Sequence, residues 1–189
     1  MIKEIAENDI HQLALLHKRI LPSFLSTFSI SFITKFYKCQ LERDNQLLIG
    51  YFEQDKLIGF VFGTDDVNLL YSEFINQNKF YFYTQTLISF LKNPKYLLLF
   101  LAKFTSESFT STCQRQLVYI GVDNKTKQKG IGSQLLKYFE NQWKEFGYYE
   151  LEVESENPAL QFYKRNNFKI VHTYNNWVEK KLLMGKTLP

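Results

Sequence analysis

The stretch VDNKTKQKGIGSQLLKYFE, Val122 to Glu140, decides how the rest of the chain is read. It runs from the end of a strand through a loop into a helix. The loop KTKQKGIGS carries three lysines and two glycines. In the segment that follows, Ile131, Leu135, Phe139 and Trp143 recur four apart, which lines them along one face of a helix. Gly130 and Gly132 therefore stand at or just inside a helix N-terminus. The first N–H groups of a helix have no partner within it, and the helix dipole favours an anion beside them. A glycine has no Cβ to hold a ligand away from the backbone. The pattern predicts a backbone site for a phosphate or pyrophosphate; the alternative is an ordinary strand–helix connection with glycine for turning.

The spacing excludes two phosphate-binding loops. No Gly-x-x-x-x-Gly-Lys-Ser/Thr run occurs, and the third glycine of a dinucleotide fingerprint would fall on Leu135. The 189 residues suit one domain, and 45% hydrophobic content allows a sizeable core. A net charge of +4 is too weak a bias to indicate nucleic-acid binding, although it suits an anionic ligand. Cys39 and Cys113 match no metal motif, so no metal is expected. Their reduced state and the absence of a signal-like N-terminus point to the cytoplasm. The most apolar segment, YLLLFLAKF from Tyr96 to Phe104, is too short to span a membrane and reads as a buried helix.

Outward from the glycine loop, the chain reads as alternating helices and strands. Ile2 to Ile5 is a short edge strand. Asn8 or Asp9 caps a helix carrying Leu13, Leu16, His17 and Ile20, with His17 on a helix face rather than in a site. A second helix covers Ser31 to Arg43. Gln46 to Gly63 is a hairpin turning near Gln54 and Asp55. Val67 to Phe109 is a long aromatic-rich insertion, split into at least two helices at Asn93-Pro94. Its aromatics read as hydrophobic core or substrate pocket, and Thr105 to Thr112 as a loop. Gln116 to Asp123 is a strand, and Gly147 stops the helix that follows the glycine loop. Tyr148 to Glu154 alternates, with Leu151 and Val153 on one face and Glu150, Glu152 and Glu154 on the other. Asn157-Pro158 starts a helix, and strands follow at Phe168 to Tyr174 and Val178 to Leu188.

In its second half the chain resembles the GNAT superfamily of N-acetyltransferases. The family motif Arg/Gln-x-x-Gly-x-Gly/Ala stands here as Lys127-Gln128-Lys129-Gly130-Ile131-Gly132. A strand Leu151-Glu152-Val153, a helix with Ala159 to Tyr163, the pair Asn167-Phe168 and the tail LLMGKTL follow in the family's order. Lys127 replaces the usual Arg or Gln. Asn167 replaces the usual Gly, a mild change because Asn tolerates left-handed backbone.

The resemblance implies a mixed α/β fold. Its mostly antiparallel sheet splays between the two middle strands and is flanked by helices, with 67–109 as an insertion into a single domain. It also implies acetyl-CoA as acetyl donor. The amides of Lys129, Gly130, Ile131, Gly132 and Ser133 would hold the pyrophosphate, with Lys127, Gln128 and Asn157 beside the donor. The strand Ile120-Gly121-Val122 would pair with the pantetheine amides as an added strand does, with Gly121 easing close approach. Tyr163 matches the family tyrosine that protonates the departing sulfur. The base of histone-type members falls on Gln116, which has no basic function. Glu152 matches the base of the ribosomal-protein enzymes, and a dry cleft would raise its pKa; Glu150 or Glu154 acting through water is the alternative. The acceptor is a primary amine, either a small molecule such as an amino sugar or a protein N-terminus. A non-catalytic acyl-CoA-binding module is the rival reading, and the insertion could also serve as a dimer or membrane contact.

Overall fold

The computed structural model describes residues 1–44, 46–102, 111–175 and 178–189. Its strands are β1 Ile2–Glu4, β2 Gln46–Glu53, β3 Lys56–Thr64, β4 Gln116–Val122, β5 Tyr148–Glu154, β6 Lys169–Asn175 and β7 Lys180–Thr187. Its α-helices are α1 Ile10–Ile20, α2 Ile30–Leu41, α3 Ser72–Gln77, α4 Lys79–Lys92, α5 Pro94–Ala102, α6 Ile131–Gln142 and α7 Leu160–Arg165. The strands form one sheet in the order β1-β2-β3-β4-β5-β7-β6. Every neighbouring pair is antiparallel except β4 and β5, which run parallel. This is the mixed, mostly antiparallel α/β sheet that the motif order implies.

Strand alternation gives the sheet two apolar faces. Phe60 and Phe62 of β3 face one way, into a core shared with α1 and α2. Val61 faces the other way, into a core shared with α6 and α7. Ile131, Leu135, Phe139 and Trp143 are all buried in that second core, as their four-residue spacing predicts. Trp143 lies one residue past the helix end, and a short 3-10 turn then leads to Gly147 in left-handed backbone.

Local chemistry sets most boundaries. The hairpin turns at Gln54 and Asp55, both with positive φ, as a tight two-residue connection requires. Asn93-Pro94 separates α4 from α5, because the residue before proline leaves helical space. Asp9 does not cap α1 through its side chain; its carboxylate instead accepts the Ala6 N–H. The second helix starts earlier and ends earlier than its apolar spacing suggested, because the Ser29 hydroxyl accepts the Phe32 N–H and acts as the cap. Most of the Thr105–Thr112 loop, and the end of the insertion, lie outside the described residues.

The aromatic insertion is only partly core. Phe74 is buried, and Tyr81 and Phe82 pack against Phe32 of α2. Phe80 and Tyr83 point outward, so the expectation that these aromatics fill a core or pocket fails for them. The apolar run starting at Tyr96 likewise forms a helix whose Leu97, Leu98 and Leu101 are exposed rather than buried.

Asn167 adopts φ +68°, the left-handed conformation that its replacement of glycine demands. Asn167→Gly is expected to leave stability within about 0.5 kcal/mol of the parent, whereas Asn167→Val is expected to lose about 1–2 kcal/mol. Urea unfolding measures both.

Candidate active-site cleft

The parallel pair β4/β5 touches at one point. Among the described residues Gln116 and Glu150 are the only registered partners, supported by the Glu150 N–H donating to the Arg115 carbonyl at 3.0 Å. Beyond that bridge the strands part. Asp123 N–H donates to Ile58 of β3 at 2.7 Å, and backbone groups alternate sides along a strand. Gly121 therefore also faces β3, while Ile120 and Val122 turn their N–H and C=O toward β5, where no strand receives them. That unfilled edge can accept an extended chain bearing amides.

Gly121 does not serve that approach. A Cβ there would lie 2.6 Å from Ile20 Cδ1 and 3.2 Å from Leu21, so its missing side chain makes room for the end of α1. The expectation that it eases donor contact is corrected on that ground: the tight neighbour is protein, on the sheet face, rather than open cleft.

At the far end of β4 the chain enters the glycine loop. Asp123 shapes the entry. Its carboxylate accepts the Lys125 N–H at 3.1 Å and is held by the Arg19 guanidinium at 2.6 Å. The Gln128 side chain donates to the Tyr51 hydroxyl at 2.9 Å, and its N–H reaches Thr126 Oγ1 at 3.4 Å, so this residue braces the loop instead of offering its own amide. Lys127 is exposed. Gly130 then takes φ +83° with open space around it, and α6 begins. The N–H groups of Lys129, Gly130, Ile131, Gly132 and Ser133 have no hydrogen-bond partner among the described residues. Five neighbouring donors at a helix N-terminus form an anion cradle.

α7 packs its Phe162 against Gly132, where an added Cβ would sit 3.4 Å from the ring. This brings Tyr163 to the same side of the sheet as the cradle. Tyr163 is buried against Phe162 and Phe168, with ring centroids 5.4 and 5.6 Å away. Burial pushes its pKa up to about 12, so the hydroxyl keeps its proton at neutral pH. That hydroxyl has no hydrogen-bond partner among the described residues. Asn157 spends its side-chain oxygen on the Ala159 N–H at 2.8 Å, and the helix itself starts at Leu160, two residues after Pro158.

The glutamates of β5 differ from one another. Glu152 is not in a dry cleft: its side chain is 45% exposed, with Lys181 Nζ at 3.9 Å. Tyr174 lies beside it, its pKa raised first by burial and then by the Glu152 charge. Glu150 shares the alternation but is buried, because the Ser111 hydroxyl (2.5 Å) and the Tyr148 hydroxyl (2.9 Å) close over it as donors. Ser111 is 39 positions away and sequence spacing carries no signal for it, whereas Tyr148 stands two residues before Glu150 on the same strand. Nor does spacing reveal Tyr96 of α5, whose ring meets Phe24 at 5.3 Å. Burial first, then the charges of Glu154 and Glu179, raise the Tyr96 pKa.

The two loop glycines are expected to separate fold from binding. Gly130→Ala imposes left-handed strain of about 1–2 kcal/mol, read as a lower urea midpoint. Gly132→Ala meets only ordinary contacts and keeps the midpoint, but sets a methyl over the cradle and weakens binding of an anionic ligand in calorimetry.

Comparison with known proteins agrees with this geometry. Residues 100–170 match the family model described as acetyltransferase (GNAT) domain. No curated protein matches the chain. Solved structures do. An aminoglycoside 6'-N-acetyltransferase complexed with coenzyme A superposes with a TM-score of 0.64 at 15% identity, covering 100% of this chain and 98% of that one. A ribosomal-protein-alanine N-acetyltransferase from Brucella melitensis gives 0.63 at 13% identity, covering 100% and 99%. An aminoglycoside 6'-acetyltransferase type Ii gives 0.62 at 17% identity, covering 100% and 98%. At these identities the likeness is one of fold, and the match over 100–170 falls on the glycine loop, the parted strands and α7. Residues 100–170 thus match a GNAT acetyltransferase domain, and the chain as a whole shares the fold of these solved N-acetyltransferases.

Proposed function

We propose that the protein transfers an acetyl group from acetyl-CoA to a primary amine by direct attack. The observation that carries the reading is the pairing of five unpartnered amides at Lys129–Ser133 with an unfilled strand edge at Ile120 and Val122. A pyrophosphate suits the first and the amides of a pantetheine arm suit the second, so the residues present fit this donor. When bound, the donor supplies an activated thioester.

The chain's own groups have three tasks. A β4 N–H directed into the gap polarises the thioester carbonyl as negative charge develops on its oxygen. The amine nitrogen forms the new C–N bond as the C–S bond breaks, and Tyr163 gives its proton to the departing sulfur. The proton lost by the amine goes to a carboxylate, directly or through water. Glu152 is accessible for that role and faces the side opposite Leu151 and Val153. Glu150 already accepts from two hydroxyls, which makes it the poorer base.

The acceptor is best read as a small cationic amine. The insertion brings Tyr96 against Phe24, and burial first, then the negative charges of Glu154 and Glu179, raise the pKa of its hydroxyl. An aromatic wall with carboxylates beside it favours an ammonium group. The second reading, a protein N-terminus, is favoured by Glu152 standing where the ribosomal-protein enzymes carry their base. The rival reading, a binding module without turnover, has its motivation in Gln116 and Lys127.

Calorimetry is expected to give micromolar or tighter binding of acetyl-CoA; no binding at that concentration overturns the proposal. Tyr163→Phe is expected to lower kcat by about a hundredfold while leaving donor affinity unchanged. An unchanged rate removes Tyr163 as the acid. Across a panel of small amines and peptide N-termini, turnover of small amines is expected. Turnover of peptides alone selects the second reading, and binding without turnover anywhere selects the module. Glu152→Gln is expected to shift the rate toward higher pH, where more amine is already deprotonated; an unchanged pH profile assigns the proton to water alone.

A further inference from the structure

α4 is pinned to the body by polar groups among its inward side chains. The Ser89 and Thr27 hydroxyls meet at 2.5 Å, Gln85 Oε1 accepts the Ser29 N–H at 3.0 Å, and the Tyr81 and Ser29 hydroxyls lie 3.2 Å apart. Its outward face is apolar. Phe80, Tyr83, Leu87 and Leu91 follow one another at spacings of three, four and four, which is one stripe of a helix. Phe80 is 84% exposed and Leu91 77%. α5 adds Leu98 and Leu101, also exposed, from the neighbouring helix. Exposed aliphatic and aromatic side chains contiguous over two helices mark an interaction surface.

Charge selects the partner. Residues 79–102 contain three lysines, Lys79, Lys92 and Lys95, and no aspartate or glutamate. All three lysines are exposed. At about 100° per residue, Lys79 falls on one flank of the Phe80–Leu91 stripe, whereas Lys92, the last residue of the helix, falls on the side of Tyr81 and Gln85 and is exposed at the helix end. Lys92 also lies near Lys18, whose pKa is lowered by burial and then by the Lys92 charge. An apolar face with exposed lysines at one edge and at the helix junction, and no acidic residue, is the pattern of a helix lying in a membrane interface, apolar residues down and ammonium groups reaching the headgroups. A second copy of this chain would set lysine against lysine across a two-fold contact, with no carboxylate on either helix to pair them. Nucleic acid would satisfy the lysines but leave leucines facing phosphates. Among the described residues no helix is long and apolar enough to cross a bilayer, so the contact is one of surface seating.

We propose that the outer face of α4 and α5 docks on an anionic lipid bilayer, with Phe80, Leu87 and Leu91 entering the interface and Lys79, Lys92 and Lys95 meeting acidic headgroups. The inference goes beyond acetyl transfer and does not depend on it.

The test is co-sedimentation of the full chain with vesicles of phosphatidylcholine alone or mixed with phosphatidylglycerol. Binding is expected only to the mixed vesicles and is expected to fall as salt is raised. Reversal of the three lysines (Lys79→Glu, Lys92→Glu, Lys95→Glu) is expected to weaken it by at least about a hundredfold, each lysine near the surface being worth roughly fivefold. Phe80→Ser with Leu91→Ser is expected to weaken it by about tenfold or more while far-ultraviolet circular dichroism and urea midpoint stay at parent values. Absence of binding to the mixed vesicles, or equal binding to neutral ones, overturns the proposal. So does a concentration-dependent dimer in light scattering that Leu91→Ser abolishes, because a second copy would then be the occupant.

Discussion

The molecule depends on a strand pair that does not stay paired. β4 and β5 share one bridge, at Gln116 and Glu150, and then diverge. Parallel pairing is already weaker per residue than antiparallel, and here each strand has a better partner on its other side. β4 is registered with β3 from Gly59 to Thr64, and β5 with β7 along its whole length. Two well-formed half-sheets are thus hinged at a point, and the backbone groups of Ile120 and Val122 are left without a strand partner among the described residues. The buried Glu150, closed over by Ser111 and Tyr148, sits at that hinge. It is better understood as part of what fixes the angle of the cleft than as a reacting group.

Much of this was legible in the sequence, because much of it is local. The glycine loop, the apolar period of α6, the proline break before α5 and the left-handed Asn167 follow from backbone preferences that single residues carry. The order of the elements around Lys127–Gly132 was enough to place unpartnered amides at the start of α6. What the sequence did not carry was long-range. Gly121 reads as a space for ligand, yet Ile20, a hundred or so positions earlier, fills it. Glu152 and Glu150 are two residues apart on one strand face, yet the distant Ser111 closes over one and leaves the other open. The outward Phe80 and Leu91 follow an ordinary helical period, and period alone does not say which side of a helix faces the body. Polar pins at Gln85 and Ser89 decide that, and their partners lie in the segment between α1 and α2.

That segment, residues 21–29, connects otherwise separate parts of the molecule. It carries Phe24, against which Tyr96 packs, and Thr27 and Ser29, which hold α4. His17, just before it, is fully buried between the Tyr37 and Ser23 side chains, and burial lowers its pKa to about 3. A neutral imidazole with both nitrogens engaged fixes the start of the segment without placing a charge in the core.

Arg19 stands at the end of α1, immediately before this segment, and it grips Asp123, which shapes the entry to the glycine loop. One ion pair, half-buried and 2.6 Å long, therefore joins the segment 21–29 to the entry of the glycine loop. Two sites that share a structural element share a coupling free energy, and that coupling is reciprocal. A ligand that moved Asp123 would act on Arg19 and through it on residues 21–29, and a ligand that moved that segment would act back on the loop by the same amount.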